Sequence, residues 1–119
     1  MLRIITILFG VIFIFAGSAG YLPSLTKDGL LLGLFAVDSM HNLVHIVSGV
    51  VAIMAATSYG LTVLYLRIFG LLYTAVGLWG FYTNGDLYFM QVNMPDNILH
   101  IVLGVVIAYL GFSASRKER

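Results

Sequence analysis

Long apolar stretches alternate with short polar segments along this 119-residue chain. Asp, Glu, Lys and Arg do not occur in 4–26, 39–66, 68–85 or 97–115. A membrane-spanning helix needs about 20 consecutive apolar residues, and a turn-forming segment at 57–60 divides the second stretch. The pattern therefore predicts four transmembrane helices, at 2–21, 41–56, 61–82 and 96–112.

One polar pattern occurs twice in the chain, 55 residues apart. Its members are Asn42, His45 and Gly49 in the first copy and Asn97, His100 and Gly104 in the second. A fainter repeat of glycines places Gly10, Gly17 and Gly20 in register with Gly70, Gly77 and Gly80. We therefore predict an all-α fold, a four-transmembrane-helix bundle built from two duplicated helical hairpins, 1–60 and 61–119, that form a single integral membrane domain.

Each predicted hairpin crosses the membrane twice, so the two copies run in the same direction. A pseudo-twofold axis along the membrane normal would relate them, with the second and fourth helices facing each other beside it. Asp38 and Asn93 precede these two helices at matching positions. A side-chain oxygen there can accept a hydrogen bond from a free backbone N–H of the first turn, so we expect both residues to be N-caps.

The composition and the cations agree with a membrane location. Hydrophobic residues make up 61% of the chain and charged residues 9%, against about 25% charged residues in soluble domains. Arg3, Arg67 and the cations of 116–119 lie on one side of the predicted path and Lys27 on the other. By the positive-inside rule both termini are cytoplasmic. A net charge of +1 offers no basic patch for nucleic acid, and the chain has no cysteine.

Four residues near the outer face form a candidate metal site. His41 and Asp96 occupy matching positions in the two copies, and each lies four residues before the histidine of its motif. Residues four apart share a helical face, so facing helices would bring together His41, His45, Asp96 and His100. Such a set can bind zinc, copper or iron, although no metal-specific motif accompanies it.

Two further roles are open to the same motifs. His45 and His100 could be the axial ligands of a haem or another tetrapyrrole, although the small residues beside them favour close helix contact. The role we expect first is structural: Asn42, His45, Asn97 and His100 would join the two halves by hydrogen bonds of about 1 kcal/mol each. No nucleophile with a neighbouring base is evident on the helices, so we expect a non-enzymatic accessory subunit without a cofactor, in a homo-oligomer or a larger membrane complex.

The two predicted outer loops have matching positions before the second and fourth helices. The segments 29–37 and 86–92 are too short to span a bilayer and too apolar to extend into water. They could form a short strand pair across the twofold axis, with Tyr88 and Phe89 in the interface. The alternative is a re-entrant or interfacial segment.

The two motifs resemble those of a bacterial family of four-helix membrane proteins, domain of unknown function 4383. The resemblance is carried by Val-Asp-x-x-His-Asn-Leu-Val-His-Ile-x-x-Gly at 37–49 and Asp-Asn-Ile-Leu-His-Ile-x-Leu-Gly at 96–104. It implies a small integral protein of the bacterial inner membrane, with no assigned activity or cofactor.

Overall fold

Four helices make up most of the structure, a computed structural model that describes residues 1–87, 90 and 92–114. In chain order the elements are α1 (Leu2–Ala19), β1 (Thr26–Lys27), β2 (Leu30–Leu31), β3 (Phe35–Ala36), α2 (Ser39–Ala55), α3 (Tyr59–Tyr82) and α4 (Met94–Phe112). The mostly helical fold is as predicted. Helices α1, α3 and α4 are long and apolar enough to cross a membrane. Helix α2 has 17 residues, and at 1.5 Å per residue it is a few ångströms shorter than a hydrocarbon core of about 30 Å.

Side-chain caps set the start of the two helices that carry the motifs. The Asp38 carboxylate accepts a hydrogen bond of 2.8 Å from the backbone N–H of His41. At α4, the side-chain oxygen of Asn93 accepts from the backbone N–H of Asp96 at 3.2 Å, and the Asp96 carboxylate accepts from the backbone N–H of Asn93 at 3.1 Å. This capping box satisfies two backbone donors that a helix N-terminus leaves free. The caps thus fix where α2 and α4 begin, and with them the turns on which the histidines lie.

Glycines allow close contact between α1 and α2 and between α3 and α4. A Cβ added at Gly17 would lie 2.6 Å from the backbone oxygen of Asn42, and one added at Gly77 would lie 2.9 Å from that of Asn97. Both distances are too short for any residue with a side chain. Close approach of this kind is how small residues join helices in membranes.

The two helix pairs meet through side chains. Both α1 and α2 contact α3, and a shared apolar cluster includes Phe13, Ala52, Leu66 and Ile107. Along their backbones, α2 and α4 make no extensive contact in the part of the chain that is described. The structure therefore does not confirm close backbone packing of these two helices, and the contacts between them are made by imidazole rings.

The first outer loop folds into a small antiparallel sheet of its own. Strand β2 pairs with β1 on one side and with β3 on the other. Asp28 and Gly29 connect β1 to β2 with φ angles of 55° and 76°, the left-handed conformation that a two-residue hairpin turn requires. The expected strand pair between the two loops is thus replaced, in the described residues, by strands within one loop. Tyr88 and Phe89 lie outside those residues.

One hydrogen bond joins the second loop to this sheet region. The side-chain amide of Asn93 donates to the backbone oxygen of Leu34 at 2.8 Å. The sheet is therefore attached to the start of α4, and strand β3 contacts the same helix.

Two arginines lie at the opposite end of the molecule. Arg3 donates from Nε to the backbone oxygen of Ala56 at 2.6 Å, where α2 ends. Arg67 donates from Nε to the backbone oxygen of Gly111 at 2.9 Å, near the end of α4. Cations at helix C-termini are favoured by the helix dipole and satisfy free carbonyl groups. The residues 116–119, which the sequence places on this side, are outside the described part.

Candidate functional site

Three imidazole rings converge between α2 and α4. His41 and His45 come from successive turns of α2, and His100 comes from α4. One ring nitrogen of each lies within 4.8 Å of those of the other two. The ring centroids are 4.6 Å apart for His41 and His45, 5.4 Å for His41 and His100, and 5.8 Å for His45 and His100. We call these three residues the histidine cluster.

The histidine cluster is buried and short of hydrogen-bond partners. His41 and His100 are 0% and 1% exposed, and His45 is partly buried. Within the described residues, Nε2 of His41 and both ring nitrogens of His100 have no partner. A buried polar atom without a partner costs about 1–3 kcal/mol. Most such atoms in native proteins are satisfied, so this group indicates a missing interaction.

The outer sheet fixes the orientation of the His41 ring. Val37 donates its backbone N–H to Gly29, on the β2 side of the sheet, so the neighbouring Ala36 directs its backbone groups to the other side. Nδ1 of His41 donates to the Ala36 oxygen at 3.0 Å. This bond places the proton on Nδ1 and leaves the lone pair of Nε2 for the cluster. Histidines that bind metals are usually held by such a bond from the other ring nitrogen.

Asp96, the fourth member of the predicted metal set, does not join the cluster. The group of mutually close ligand atoms consists of the three histidines. The Asp96 carboxylate instead accepts the backbone N–H groups of Asn93 and Ala36. Since Ala36 also accepts from His41, one strand residue connects Asp96 with the cluster. The structure thus brings together three of the four predicted ligands and gives the fourth a capping role.

The motif asparagines lie within each helix pair and not between the two pairs. The side-chain oxygen of Asn42 occupies the space where a Cβ of Gly20 would be, and that of Asn97 does the same at Gly80. Both asparagines are buried, and both oxygens lack a hydrogen-bond partner in the described residues. In the same way Gly49 packs on Gly10. The expectation that Asn42 and Asn97 join the two halves therefore does not match their contacts.

Two residues with hydroxyl groups, Ser48 and Tyr73, lie beside the histidine cluster and were not among the sequence-predicted site residues. The Tyr73 ring lies 5.6 Å from His100 and 6.2 Å from His45, centroid to centroid. Its hydroxyl donates to Oγ of Ser48 at 2.8 Å, and Ser48 donates in turn to the backbone oxygen of Val44 at 2.7 Å. These hydroxyls thus bond to one another and to the backbone, and not to the imidazoles.

Two cavities adjoin the histidine cluster. The first, of about 140 Å³, lies between α2 and α3 and is lined by all three histidines together with Val44, Ser48, Phe69, Leu72, Tyr73, Val76 and Met90. The second, of about 240 Å³, lies under the outer sheet between α1 and α4, and both His45 and Asp96 reach it. Apart from the residues of the motifs, the walls of the second cavity are apolar.

Comparison with known proteins identifies a family. The family model described as a domain of unknown function (DUF4383) matches residues 3–113. Searches of curated proteins and of solved structures find no match. Except for Leu2, the first residue of α1, the matched segment contains all four helices, and it includes the complete histidine cluster. The chain therefore belongs to the DUF4383 family.

Proposed function

We propose that this protein is an integral membrane protein that binds one transition-metal ion through His41, His45 and His100. The observation that carries the proposal is the convergence of three imidazoles, among which Nε2 of His41 and both ring nitrogens of His100 are buried without a hydrogen-bond partner in the described residues. A metal ion accepts the lone pairs of all three rings at once, which no single hydrogen bond among them can do.

The chemistry of the donor set favours a borderline metal. Neutral imidazole nitrogens suit zinc, copper and iron, whereas magnesium and calcium prefer oxygen. Nitrogens bound to one tetrahedral ion lie about 3.4 Å apart when each bond is about 2.0–2.1 Å. Small side-chain rotations in the cluster, whose ligand atoms lie within 4.8 Å of one another, would close that gap. The Nδ1 bond of His41 to Ala36 supports the proposal, because it presents Nε2 to the ion.

The alternatives receive less support from the geometry. A structural lock needs hydrogen bonds between the halves, but neither ring nitrogen of His100 forms one within the described residues. A tetrapyrrole bound by His45 and His100 needs a large slot, whereas the cavity beside both rings is about 140 Å³ and pockets for drug-sized molecules measure about 300–1,000 Å³. A single ion fits this space.

We further propose that the fold is a duplicated hairpin in which α2 is the fourth membrane span. Equivalent contacts in the two copies support the duplication, since Gly17 and Gly77 each pack against a motif asparagine. Arg3 and Arg67 lie near the ends of α2 and α4, and Lys27 lies in the outer sheet. By the positive-inside rule, both termini are cytoplasmic and the cluster lies in the outer half of a bacterial inner membrane. In this arrangement the protein acts as a non-enzymatic, metal-binding accessory subunit.

Elemental analysis of the purified protein tests the metal. The untagged chain, extracted in mild detergent, is analysed for iron, copper and zinc by mass spectrometry after dialysis against each metal in turn. We expect one ion per chain, and loss of it in the His41→Ala, His45→Ala and His100→Ala variants. Asn97→Ala is the matched control, because Asn97 is a buried polar residue of α4 outside the cluster, and it should retain the metal. Substoichiometric metal in the wild type, or equal loss in the control, contradicts the proposal.

A further inference from the structure

We propose that the bound metal turns one coordination position toward the cavity between α2 and α3, and that a small, uncharged, lipid-soluble molecule binds there. This inference rests on the proposed metal site and adds the class of its ligand. It is carried by the cavity itself, because all three histidines line the same space. An ion held by their nitrogens must border that space.

The number of protein ligands leaves a position for an outside molecule. Closed structural zinc sites use four protein ligands, whereas sites that exchange a ligand use three. The fourth predicted ligand, Asp96, is held in the capping box by Asn93 and lies along the other cavity. The cluster thus offers three nitrogens and no carboxylate.

The volume of the cavity limits the size of the ligand. At about 140 Å³ it is close to the apolar cavities of about 150 Å³ that hold benzene or xenon. A molecule of up to about six non-hydrogen atoms fits by this comparison. Lipids, quinones and tetrapyrroles are too large.

The walls determine the polarity of the ligand. Val44, Leu72 and Val76 supply apolar surface, and among the described residues the three histidines are the only basic or acidic side chains that line the cavity. The hydroxyls of Ser48 and Tyr73 are already bonded to each other and to the backbone. A cationic molecule would find no compensating partner there, and burying its charge beside a metal cation is costly.

The position of the cavity suggests the route of entry. Leu72, in its wall, is 50% exposed on the surface of α3. In a membrane this surface of α3 faces lipid, because the helix is long and apolar enough to span the bilayer. Small uncharged molecules such as dioxygen and nitric oxide dissolve in lipid and can reach the cavity from there.

Nitric oxide bound to Fe²⁺ provides the test. The full-length protein is loaded with Fe²⁺ without oxygen, its iron content is measured, and nitric oxide is titrated while the electron paramagnetic resonance signal of the iron–nitrosyl species is recorded. We expect one signal per bound iron. Val44→Phe should fill the cavity and weaken nitric oxide binding by about tenfold or more, the equivalent of roughly 1.4 kcal/mol. Val47→Phe is the matched control on α2, since Val47 is 50% exposed and does not line the cavity, and it should bind as the wild type does.

A second cavity variant is needed in case Val44→Phe fails to fold or to bind iron. Val76→Phe narrows the same cavity from α3, which carries no metal ligand, and should keep its iron while losing nitric oxide binding. Bound iron without a nitrosyl signal, or equal weakening of nitric oxide binding in Val47→Phe, would each overturn the inference and leave the metal site intact. A chain that binds no metal would instead overturn the proposed function.

Discussion

Positions 41 and 96 occupy matching places in the two copies of the motif, yet their side chains make different contacts. His41 directs one ring nitrogen to the Ala36 oxygen and leaves the other among the imidazoles. Asp96 turns back to the start of its own helix and accepts backbone N–H groups from Asn93 and Ala36. At equivalent positions of the repeat, aspartate thus caps a helix, whereas histidine is a candidate metal ligand.

The comparison also shows that the residues that pack each helix pair differ from those that form the histidine cluster. Asn42 and Asn97 lie against glycines of their neighbouring helices, and these contacts are alike in the two copies. The histidine cluster takes two rings from one copy and one from the other. The repeated residues therefore hold each helix pair together, and the unlike residues at 41 and 96 make the centre asymmetric.

The largest expected effect is a loss of stability when the glycine contacts within the two helix pairs are disrupted. Gly17→Val and Gly77→Val should each destabilise the protein by about 3 kcal/mol, because a side chain at either position overlaps the backbone of the neighbouring helix. Gly60→Ala is the control, since a Cβ there meets nothing within 4 Å. Thermal unfolding in detergent measures the effect. A large loss in one glycine variant and none in the other would show that the two pairs are not held alike.

The next effect is expected when position 41 is made like position 96. His41→Asp removes one imidazole and places a carboxylate where it can form a capping box with the backbone of Asp38, as Asp96 does with Asn93. We expect metal affinity to fall by about 100-fold, roughly 2.7 kcal/mol, with the melting temperature maintained. Competition with a metal-sensitive dye measures the affinity. An unchanged affinity would remove His41 from the site.

A smaller effect is expected when the cap of α4 is weakened. Asp96→Ala loses one half of the capping box and the bond to Ala36, and should cost about 1 kcal/mol of stability. Metal content should stay at one ion per chain, because the carboxylate lies outside the cluster. Unfolding and elemental analysis on the same sample separate the two properties. Loss of metal at unchanged stability would restore Asp96 as a ligand.

The smallest effect is expected in the outer sheet. Gly29 has a φ of 76°, which strains any residue with a Cβ, so Gly29→Ala should destabilise the turn by about 1 kcal/mol. Since the sheet positions Ala36 against His41, metal affinity should fall by about threefold, less than the roughly 10–100-fold lost when a residue that orients a ligand is itself replaced. Leu34→Ala, a half-exposed residue of the same loop, should leave the affinity unchanged. The same dye competition checks this. An unaltered metal affinity in Gly29→Ala would show that the sheet does not help to position His41 for the metal.

Much of the helical fold is visible in the sequence because apolar length and capping residues act locally. The observed α3 and α4 start within two residues of the predicted positions and end where predicted. The sheet was open to prediction too, since Asp28-Gly29 is a strong signal for a hairpin turn. This turn lies within the first loop, so a strand pair across the twofold axis makes no use of it.

The site was harder to predict because it depends on side-chain directions. Asp96 fits two patterns, a ligand four residues before His100 and the third residue after the cap Asn93, and only the structure shows that the cap prevails. Tyr73 stands where the first copy has Phe13, so the repeat indicates an aromatic ring there but not the hydroxyl that bonds Ser48. Helical spacing predicts that the imidazoles of α2 and α4 meet, but it does not predict that the backbones of the two helices stay apart.

X-ray absorption at the metal edge tests the central claim most directly. The untagged protein is loaded with Zn²⁺ in detergent, freed of excess metal, and measured beside the His100→Ala variant. The account predicts an inner shell that contains three imidazole nitrogens at about 2.0–2.1 Å, reduced or lost in the variant. A shell without imidazole scattering, or one that is unchanged when His100 is replaced, would contradict it.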